Sequence, residues 1–101
     1  MNQQQLTELK LRIPQIDHFK SLRTGKVIPN QCRIIFEGGS VFQSYGKNIA
    51  YKSWNGEVVL DRHYWDYSTT TGKYRNLFLG ESKAETQAKI DLETYSLEDL
   101  N

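Results

Sequence analysis

Residues 33–61 read RIIFEGGSVFQSYGKNIAYKSWNGEVVLD, and this stretch decides the fold of the chain. Runs rich in β-branched and aromatic residues alternate in it with breaks that contain glycine. Connections this short favour antiparallel neighbours, because parallel strands need a crossover of about a dozen residues or more. The segment 31–67 is therefore predicted to form a small antiparallel β-meander, to which Tyr64–Tyr67 can add one more strand. Asn55-Gly56 predicts a hairpin with a type I′ turn.

The stretch STTTGKYRN at residues 68–76 combines hydroxyls, a glycine and two cations, as phosphate-binding loops do. It lacks the GxxxxGK[ST] spacing of a P-loop, and Thr70 or Thr71 is well placed to cap a helix over residues 71–79. Gly80 falls where the glycine after a helix belongs. We interpret the stretch as a helix N-terminus, whose free N–H groups leave weak phosphate binding open.

A second helix is predicted over residues 83–91. Ser82 and Glu85 have the spacing of a capping box, in which each side chain bonds the other's backbone N–H. The two helices form a helix-turn-helix-like pair over residues 70–92, followed by an acidic tail at 93–101. The expected fold class is α+β: a small antiparallel β-meander with two short C-terminal helices.

The first 30 residues carry conflicting patterns. Pro14 interrupts any single helix there. The alternation of apolar and basic residues over 9–13 favours a short strand. Residues 15–23 instead favour a short helix, because three apolar side chains would share one of its faces: Ile16, Phe19 and Leu22.

Length and composition favour a single soluble domain over residues 1–101. No apolar run approaches the roughly 20 residues of a membrane span, and MNQQQLTELK lacks the apolar core of a signal peptide. A cytoplasmic protein is therefore expected, and the single Cys32, which leaves no intramolecular disulfide to form, agrees with this. The net charge of +1 conceals an excess of cations over residues 1–80 and of carboxylates over 81–101.

Residue types suited to catalysis or metal binding occur, but not in a recognised pattern. Asp61, His63 and Asp66 could contribute metal ligands, and with Lys73 they include the types found in nuclease centres. No second histidine lies near them in sequence, and the chain contains no GxSxG, HExxH, CxxC or dinucleotide-binding motif. We therefore predict a non-enzymatic protein with no catalytic residue, no cofactor and no metal site.

Aromatic and basic residues gather around the end of the meander and the start of the first helix. Such mixtures suit protein interfaces, where Trp, Tyr and Arg dominate the binding energy. They also suit nucleic acids, where aromatic rings stack on bases and cations neutralise phosphates; the basic residues over 10–26 could extend such a face. Trp54, at a hairpin tip, is either an exposed anchor or folded back on its sheet. The candidate binding residues are Trp54, Arg62, Tyr64, Trp65, Tyr67, Lys73 and Arg75.

Two stretches carry a family resemblance. SYGKNIA at residues 44–50 and YSTTT at 67–71, with FLG at 78–80 behind them, resemble a group of small uncharacterised proteins from bacteriophages and plasmids. That group shares an SYxxxIA strand and a YSxTT stretch followed by a helix. The resemblance implies an accessory protein of a mobile element, and such proteins often inhibit host or defence machinery, as anti-CRISPR proteins do.

The expected function is therefore that of a binding protein whose partner is a host or defence-system protein. The alternative is a small nucleic-acid-binding accessory protein that uses the basic and aromatic surface. The overall charge of +1 argues against nucleic acid as the main ligand, because domains of that kind are usually strongly basic. Weak, salt-sensitive binding to nucleic acid is expected at most.

Overall fold

A computed structural model describes the backbone of residues 1–101 and every side chain except that of Leu11. The sequence folds into one sheet and three helices. In chain order the elements are α1 (Gln3–Arg12), β1 (Gln15–Lys20), β2 (Val27–Phe36), β3 (Gly39–Ser44), β4 (Lys47–Ser53), β5 (Val58–Asp61), α2 (Thr69–Leu79), α3 (Lys83–Asp91) and β6 (Ser96–Glu98).

The strands lie side by side in the order in which they occur in the chain. Pairing is antiparallel from β1 through β5, as short hairpin connections require. The chain then crosses over through α2 and α3 and returns with β6 parallel to β5. The predicted fold class, an α+β meander with two C-terminal helices, is confirmed. Part of the segment 93–101, which was expected to be only an acidic tail, joins the sheet as β6.

The hairpin turns differ from the prediction in one respect. The two-residue turn with positive φ at both positions is Tyr45-Gly46, with φ of 52° and 77°, between the paired residues Ser44 and Lys47. At Asn55-Gly56 only the glycine has positive φ, at 92°. The N–H of Gly56 bonds the carbonyl of Ser53, so this loop is a turn closed by a left-handed glycine. The type I′ prediction at Asn55-Gly56 was wrong.

The two predictions for the N-terminal region were also wrong, because a helix forms where a strand was expected and a strand forms where a helix was expected. Residues 3–12 are helical, capped by Asn2 with a complete capping box to Gln5, where a strand was expected over residues 9–13. Residues 15–20 form an edge strand, where a helix was expected over residues 15–23. Pro14 lies between the two elements, where its missing N–H costs neither a hydrogen bond.

The two C-terminal helices form where the sequence placed them. The cap of α2 is Ser68, two residues before Thr70 and three before Thr71, so the predicted threonine cap was wrong. Gly80 closes the helix in the left-handed conformation, as expected. The helix α3 has the predicted capping box between Ser82 and Glu85. Residues 64–67 form consecutive turns that lead into α2, so the extra strand proposed there is absent.

The core lies between α2 and one face of the sheet. Aromatic rings carry the contact: Phe42 lies 5.9 Å from Phe78, and Phe19 lies 5.7 Å from Phe42 and 5.4 Å from Tyr74, measured between ring centroids. Since side chains alternate along a strand, Val41, next to Phe42, points to the opposite face. The packing of α2 fixes which side of that helix faces the core and which side remains outside.

Candidate binding groove

Polar contacts anchor the start of α2 to the sheet. The hydroxyl of Thr71 is buried and lies 2.8 Å from that of Ser44 on β3. The hydroxyl of Ser68 donates to the Thr71 hydroxyl at 3.0 Å and accepts from the Thr71 N–H at 3.0 Å. At the other end of the helix, the Lys52 ammonium donates to the carbonyl of Phe78. These contacts hold α2 at both ends, so its outer face is presented at a fixed angle.

A groove of about 790 Å³ runs along that outer face. We call it the α2 groove. Its walls are Leu22 from the β1–β2 loop, residues 66–69 before and at the start of α2, the helical residues 72–73 and 75–77, and Lys83 at the start of α3. Four separate parts of the chain therefore converge on one depression.

The charges at the groove are arranged around Asp66. Its Oδ1 accepts from Arg75 at 3.0 Å, and its Oδ2 accepts from Lys83 at 2.6 Å. Burial raises the pKa of Asp66, but the bonds from Lys83 and Arg75 lower it further than burial raises it, so the carboxylate stays ionised. Arg75 also donates to the carbonyl of Trp65 at 2.7 Å and to the side chain of Asn76 at 3.0 Å.

Apolar side chains form the rim of the α2 groove. Leu22 is fully exposed, Leu77 is 56% exposed and Tyr67 is 43% exposed. Burying such side chains against a partner is favourable by about 25 cal/mol for each Å² of apolar surface removed from water. The groove thus offers apolar contacts at its edges and ionic contacts at its base, the usual composition of a small binding site.

A smaller cleft of about 270 Å³ continues the groove toward the β1–β2 loop. It shares Leu22, Lys73 and Leu77 with the α2 groove and adds Lys20 and Arg23 to the lining. Five cationic side chains and one carboxylate, Asp66, line the two depressions together. This surface is therefore strongly positive although the chain as a whole is nearly neutral.

The sequence-predicted binding residues fall into separate groups. Tyr67 and Lys73 line the α2 groove and are exposed. Arg75 also lines it but is only 1% exposed, and its guanidinium lies 5.1 Å from the centre of the Trp65 ring. Trp65 packs against the core, and Tyr64 contacts Tyr67 edge-on at 5.4 Å. Arg75 and Trp65 thus lie beneath the groove, whereas Tyr67 and Lys73 are exposed along it.

The two remaining predicted residues lie outside the groove. Arg62 is engaged by the C-terminal segment, with its Nε 3.5 Å from Asp99 and its Nη2 3.9 Å from Glu98. Trp54 is 63% exposed on the β4–β5 loop, and its indole N–H donates to the carbonyl of Glu37 at 2.8 Å. Trp54 is therefore exposed, as one alternative had it, but it is held against the neighbouring turn and lines neither of the two depressions.

The two aspartates and the histidine considered for a metal or a nuclease centre each have other partners, whereas Lys73 is exposed along the groove. Asp61 accepts three backbone N–H groups, Asp66 pairs with two cations, and the His63 Nε2 lies 3.3 Å from Asp99. Among the side chains that the structure describes, no three His, Cys, Asp or Glu residues are grouped as metal ligands. Burial raises the pKa of Cys32, which disfavours its nucleophilic thiolate form.

One further cluster of ionisable residues escaped the sequence analysis. The buried Glu81 carboxylate accepts from Thr86 at 2.6 Å, Lys89 at 2.7 Å and the Tyr95 hydroxyl at 2.7 Å. Burial raises the pKa of Glu81, but these three donors lower it further than burial raises it. Every member has a partner, and the cluster joins the α2–α3 connection to the segment before β6. We regard it as structural.

The fold and its groove define a small α+β domain with a cationic, apolar-rimmed groove. Residues 14–94 match the family of unknown function DUF8033, and the chain belongs to that family. No curated protein and no solved structure matches the chain. None of the helices described is long and apolar enough to cross a membrane.

Proposed function

We propose that this chain is a non-enzymatic binding protein of a phage or plasmid that docks a host or defence-system protein in the α2 groove. Binding would inhibit or modulate that partner in the cytoplasm of the host cell. The observation that carries the proposal is the exposure of Leu22, Leu77 and Tyr67 around a groove whose base is already fixed by the Arg75–Asp66 pair. A preformed site loses little conformational entropy when it is occupied.

The resemblance of residues 44–50 and 67–80 to mobile-element proteins supports the choice of partner. The geometry supports the choice of surface, because apolar anchors beside cations are the residue types that dominate protein interfaces. Trp54 is a further exposed aromatic side chain, and it lies outside the groove. It gives the experiment a competing surface to test.

Affinity capture from bacterial lysate, followed by mass spectrometry, tests the proposal. Leu22→Ser and Leu77→Ser remove groove anchors, Trp54→Ser removes the competing anchor, and Leu92→Ser is a matched control, because Leu92 is 77% exposed and outside the groove. A partner captured by the wild type and by Leu92→Ser, but lost with both groove variants, is expected. The purified partner should then lose activity when the wild type is added.

Two outcomes would contradict the proposal. Capture that survives both groove variants and is lost with Trp54→Ser would move the interface to the β4–β5 loop. If none of these substitutions changes the capture, none of the substituted apolar side chains contributes to partner binding.

The second candidate function is nucleic-acid binding, and Lys20, Arg23 and Lys73 around the smaller cleft favour it. Arg62 and Arg75, which the sequence analysis counted toward the same basic face, are engaged by carboxylates. The test is a salt titration with generic single- and double-stranded DNA and RNA. Each phosphate contact adds close to one unit to the log–log slope on duplex DNA. Submicromolar affinity at physiological salt would promote this candidate over the first.

A further inference from the structure

The face of the sheet that points away from α2 carries a row of apolar side chains. Directly paired residues of an antiparallel sheet lie on the same face, so the strand register traces the row from β1 to β5. Phe42 is wholly buried in the core, and Val41 beside it points to the opposite face. The row that shares a face with Val41 takes one residue from each strand: Ile16, Ile34, Val41, Tyr51 and Val59.

The described side chains leave this row uncovered. Phe78 of α2 and Ile90 of α3 both pack at the core cluster, to which no member of the row belongs. The molecule measures 22 Å along its shortest axis, which fits the sheet and one layer of helices, since a third layer would add about 10 Å. On α1, Leu9 and Ile13 are 41% and 48% exposed, so that helix does not bury its apolar side on the sheet.

The neighbours of the row on the same face are uncharged. Cys32 and Gln43 lie together, with Sγ and Oε1 4.0 Å apart, and Phe36 stacks on Tyr51 at 6.0 Å between ring centroids. We call the row and these three neighbours the open face. Five strands about 4.8 Å apart and five residues along β2 give it an area of roughly 300 Å². An apolar patch of that size on a small protein is often a functional surface.

We propose that the open face packs against the open face of a second copy of this chain, forming a twofold dimer. An uncharged face suits an uncharged partner, because neither side has to give up the hydration of a charge. The net charge of +1 adds little repulsion between two copies. The α2 groove lies on the other side of the sheet and stays accessible, so this inference goes beyond the proposed function.

The row is self-complementary under a twofold axis. Val41 is its middle residue, so an axis that runs along β3 between the two sheets sets Val41 against the partner's Val41. On one side of the axis, Ile34 then meets the partner's Tyr51. At the end of the row, Ile16, which is 66% exposed, meets the partner's Val59. The member of the row with the largest exposed fraction is thereby covered.

The two edges of the sheet are poorer candidates for self-association. The edge strand β1 contains Asp17 and Lys20, and charged side chains on an edge strand oppose its pairing with another strand. The other edge strand, β6, is three residues long and ends at Glu98. Packing of the open faces leaves both edges unpaired, so it does not extend the sheet into a fibre.

The dimer should be weak, because a standard interface buries about 800 Å² per partner and the open face is smaller. We expect a Kd of roughly 100 μM. Sedimentation equilibrium of the wild-type full chain between about 10 μM and 1 mM measures it. Over the same range, the amide resonances of Ile34, Val41 and Tyr51 should shift with concentration, whereas those of the α2 groove should not.

Opposite charges at Val41 test whether the partner is a second copy. Val41→Glu and Val41→Lys each set like charges across the axis, so each alone should remain monomeric at about 1 mM. Their equimolar mixture should associate again, because opposite charges then meet across the axis. Circular dichroism establishes that both variants are folded.

A milder substitution covers the case in which the charged variants do not fold. Threonine suits a strand as valine does, so Val41→Thr should fold and should weaken association about tenfold, since each dimer loses two buried methyl groups. Leu92→Ser is the control, because Leu92 is 77% exposed and lies outside the sheet. It should leave the Kd within about twofold of the wild type.

A wild-type chain that stays monomeric at about 1 mM would overturn the proposal. Concentration-dependent shifts confined to β1 or to α2 would do the same, because they would place self-association at the sheet edge or in the groove. Association of Val41→Glu alone, or a mixture with Val41→Lys that stays monomeric while the wild type associates, would refute the twofold contact at Val41. Partner capture that depends on Leu22 and Leu77 is unaffected by any of these outcomes.

Discussion

Replacing Asp61 by asparagine tests how the end of the chain is held to the sheet. Asp61 ends β5 and is 1% exposed. Its Oδ2 accepts the N–H groups of His63 at 3.0 Å and Tyr64 at 2.9 Å, and its Oδ1 accepts that of Leu100 at 2.8 Å. One carboxylate therefore fixes both the turn that leads toward α2 and the segment that follows β6.

The expected loss follows from the chemistry of the substitution. The side chain of asparagine keeps one acceptor oxygen and turns an NH₂ group toward donors on the other side. At least one bond to a charged group is lost, each worth about 1.5–3 kcal/mol, and a backbone N–H is left facing another donor. Asp61→Asn should therefore lower the free energy of unfolding by about 3 kcal/mol. Urea unfolding followed by tryptophan fluorescence measures it.

Asp99→Asn is the matched control. Asp99 lies in the same segment, but its ion pair to Arg62 at 3.5 Å and its contact to His63 at 3.3 Å are exposed. Pairs of this kind contribute less than about 1 kcal/mol. If Asp61→Asn and Asp99→Asn unfold at the same urea concentration, the reasoning about the three N–H bonds is refuted.

The same carboxylate predicts a pH dependence. Burial raises the pKa of Asp61, but the Leu100 N–H, the Asn101 side chain and the His63 and Tyr64 N–H groups lower it further than burial raises it. Because the folded pKa lies below the unfolded value of about 3.9, this stabilisation is fully present above that value and is lost as the pH falls through the folded pKa. The stability difference between wild type and Asp61→Asn should therefore shrink on acidification below about pH 4. A difference that stays constant would contradict this assignment.

Gly39→Ala should lower the free energy of unfolding by about 3 kcal/mol or more, because the new Cβ would lie 2.2 Å from the carbonyl oxygen of Lys52. Gly25→Ala, at a φ of +71° with open space around it, is the comparison and should cost about 1 kcal/mol in urea unfolding. Arg75→Met removes the buried cation that pairs with Asp66 and should lower the free energy of unfolding by about 3 kcal/mol. Lys83→Met removes the exposed cation that pairs with the same carboxylate, Asp66, and should cost less than about 1 kcal/mol. If thermal melts show equal losses for Arg75→Met and Lys83→Met, Arg75 does not have the structural role assigned to it.

Local signals explain why much of the fold could be predicted. Glycines mark the meander turns, and the spacing of Ser82 and Glu85 marks α3, because turns and caps are satisfied by residues close in sequence. The edge strand at residues 15–20 could not be recognised, because its register with β2 is set by partners about 15 residues away and its alternation is weak. The strand β6 is three residues long and exists only through its parallel pairing with β5.

The groove was harder to predict than the fold, because its definition depends on burial. A sequence shows Arg75 as one more cation beside Lys73, and nothing local reveals that Asp66 and Trp65 enclose it. Ion pairing of this kind is the condition under which an arginine becomes buried. Leu22, which forms the facing wall, was assigned to a helix that does not form, so its part in the groove was also missed.

Burial of Arg75 links the stability of the domain to the shape of its groove. The guanidinium donates hydrogen bonds to the carbonyl of Trp65 and the carboxylate of Asp66. Because Arg75 itself lies in α2, these bonds fix the turns that precede α2 against that helix. Those turns carry Tyr67 and Ser68, which form one wall of the groove and cap the helix. A ligand therefore meets walls that are already ordered, and the entropy of ordering them was lost on folding rather than on binding. Substitutions at Arg75 should consequently weaken partner binding through the shape of the site. Substitutions at Leu22 or Leu77 should weaken it through lost contacts, with the fold intact.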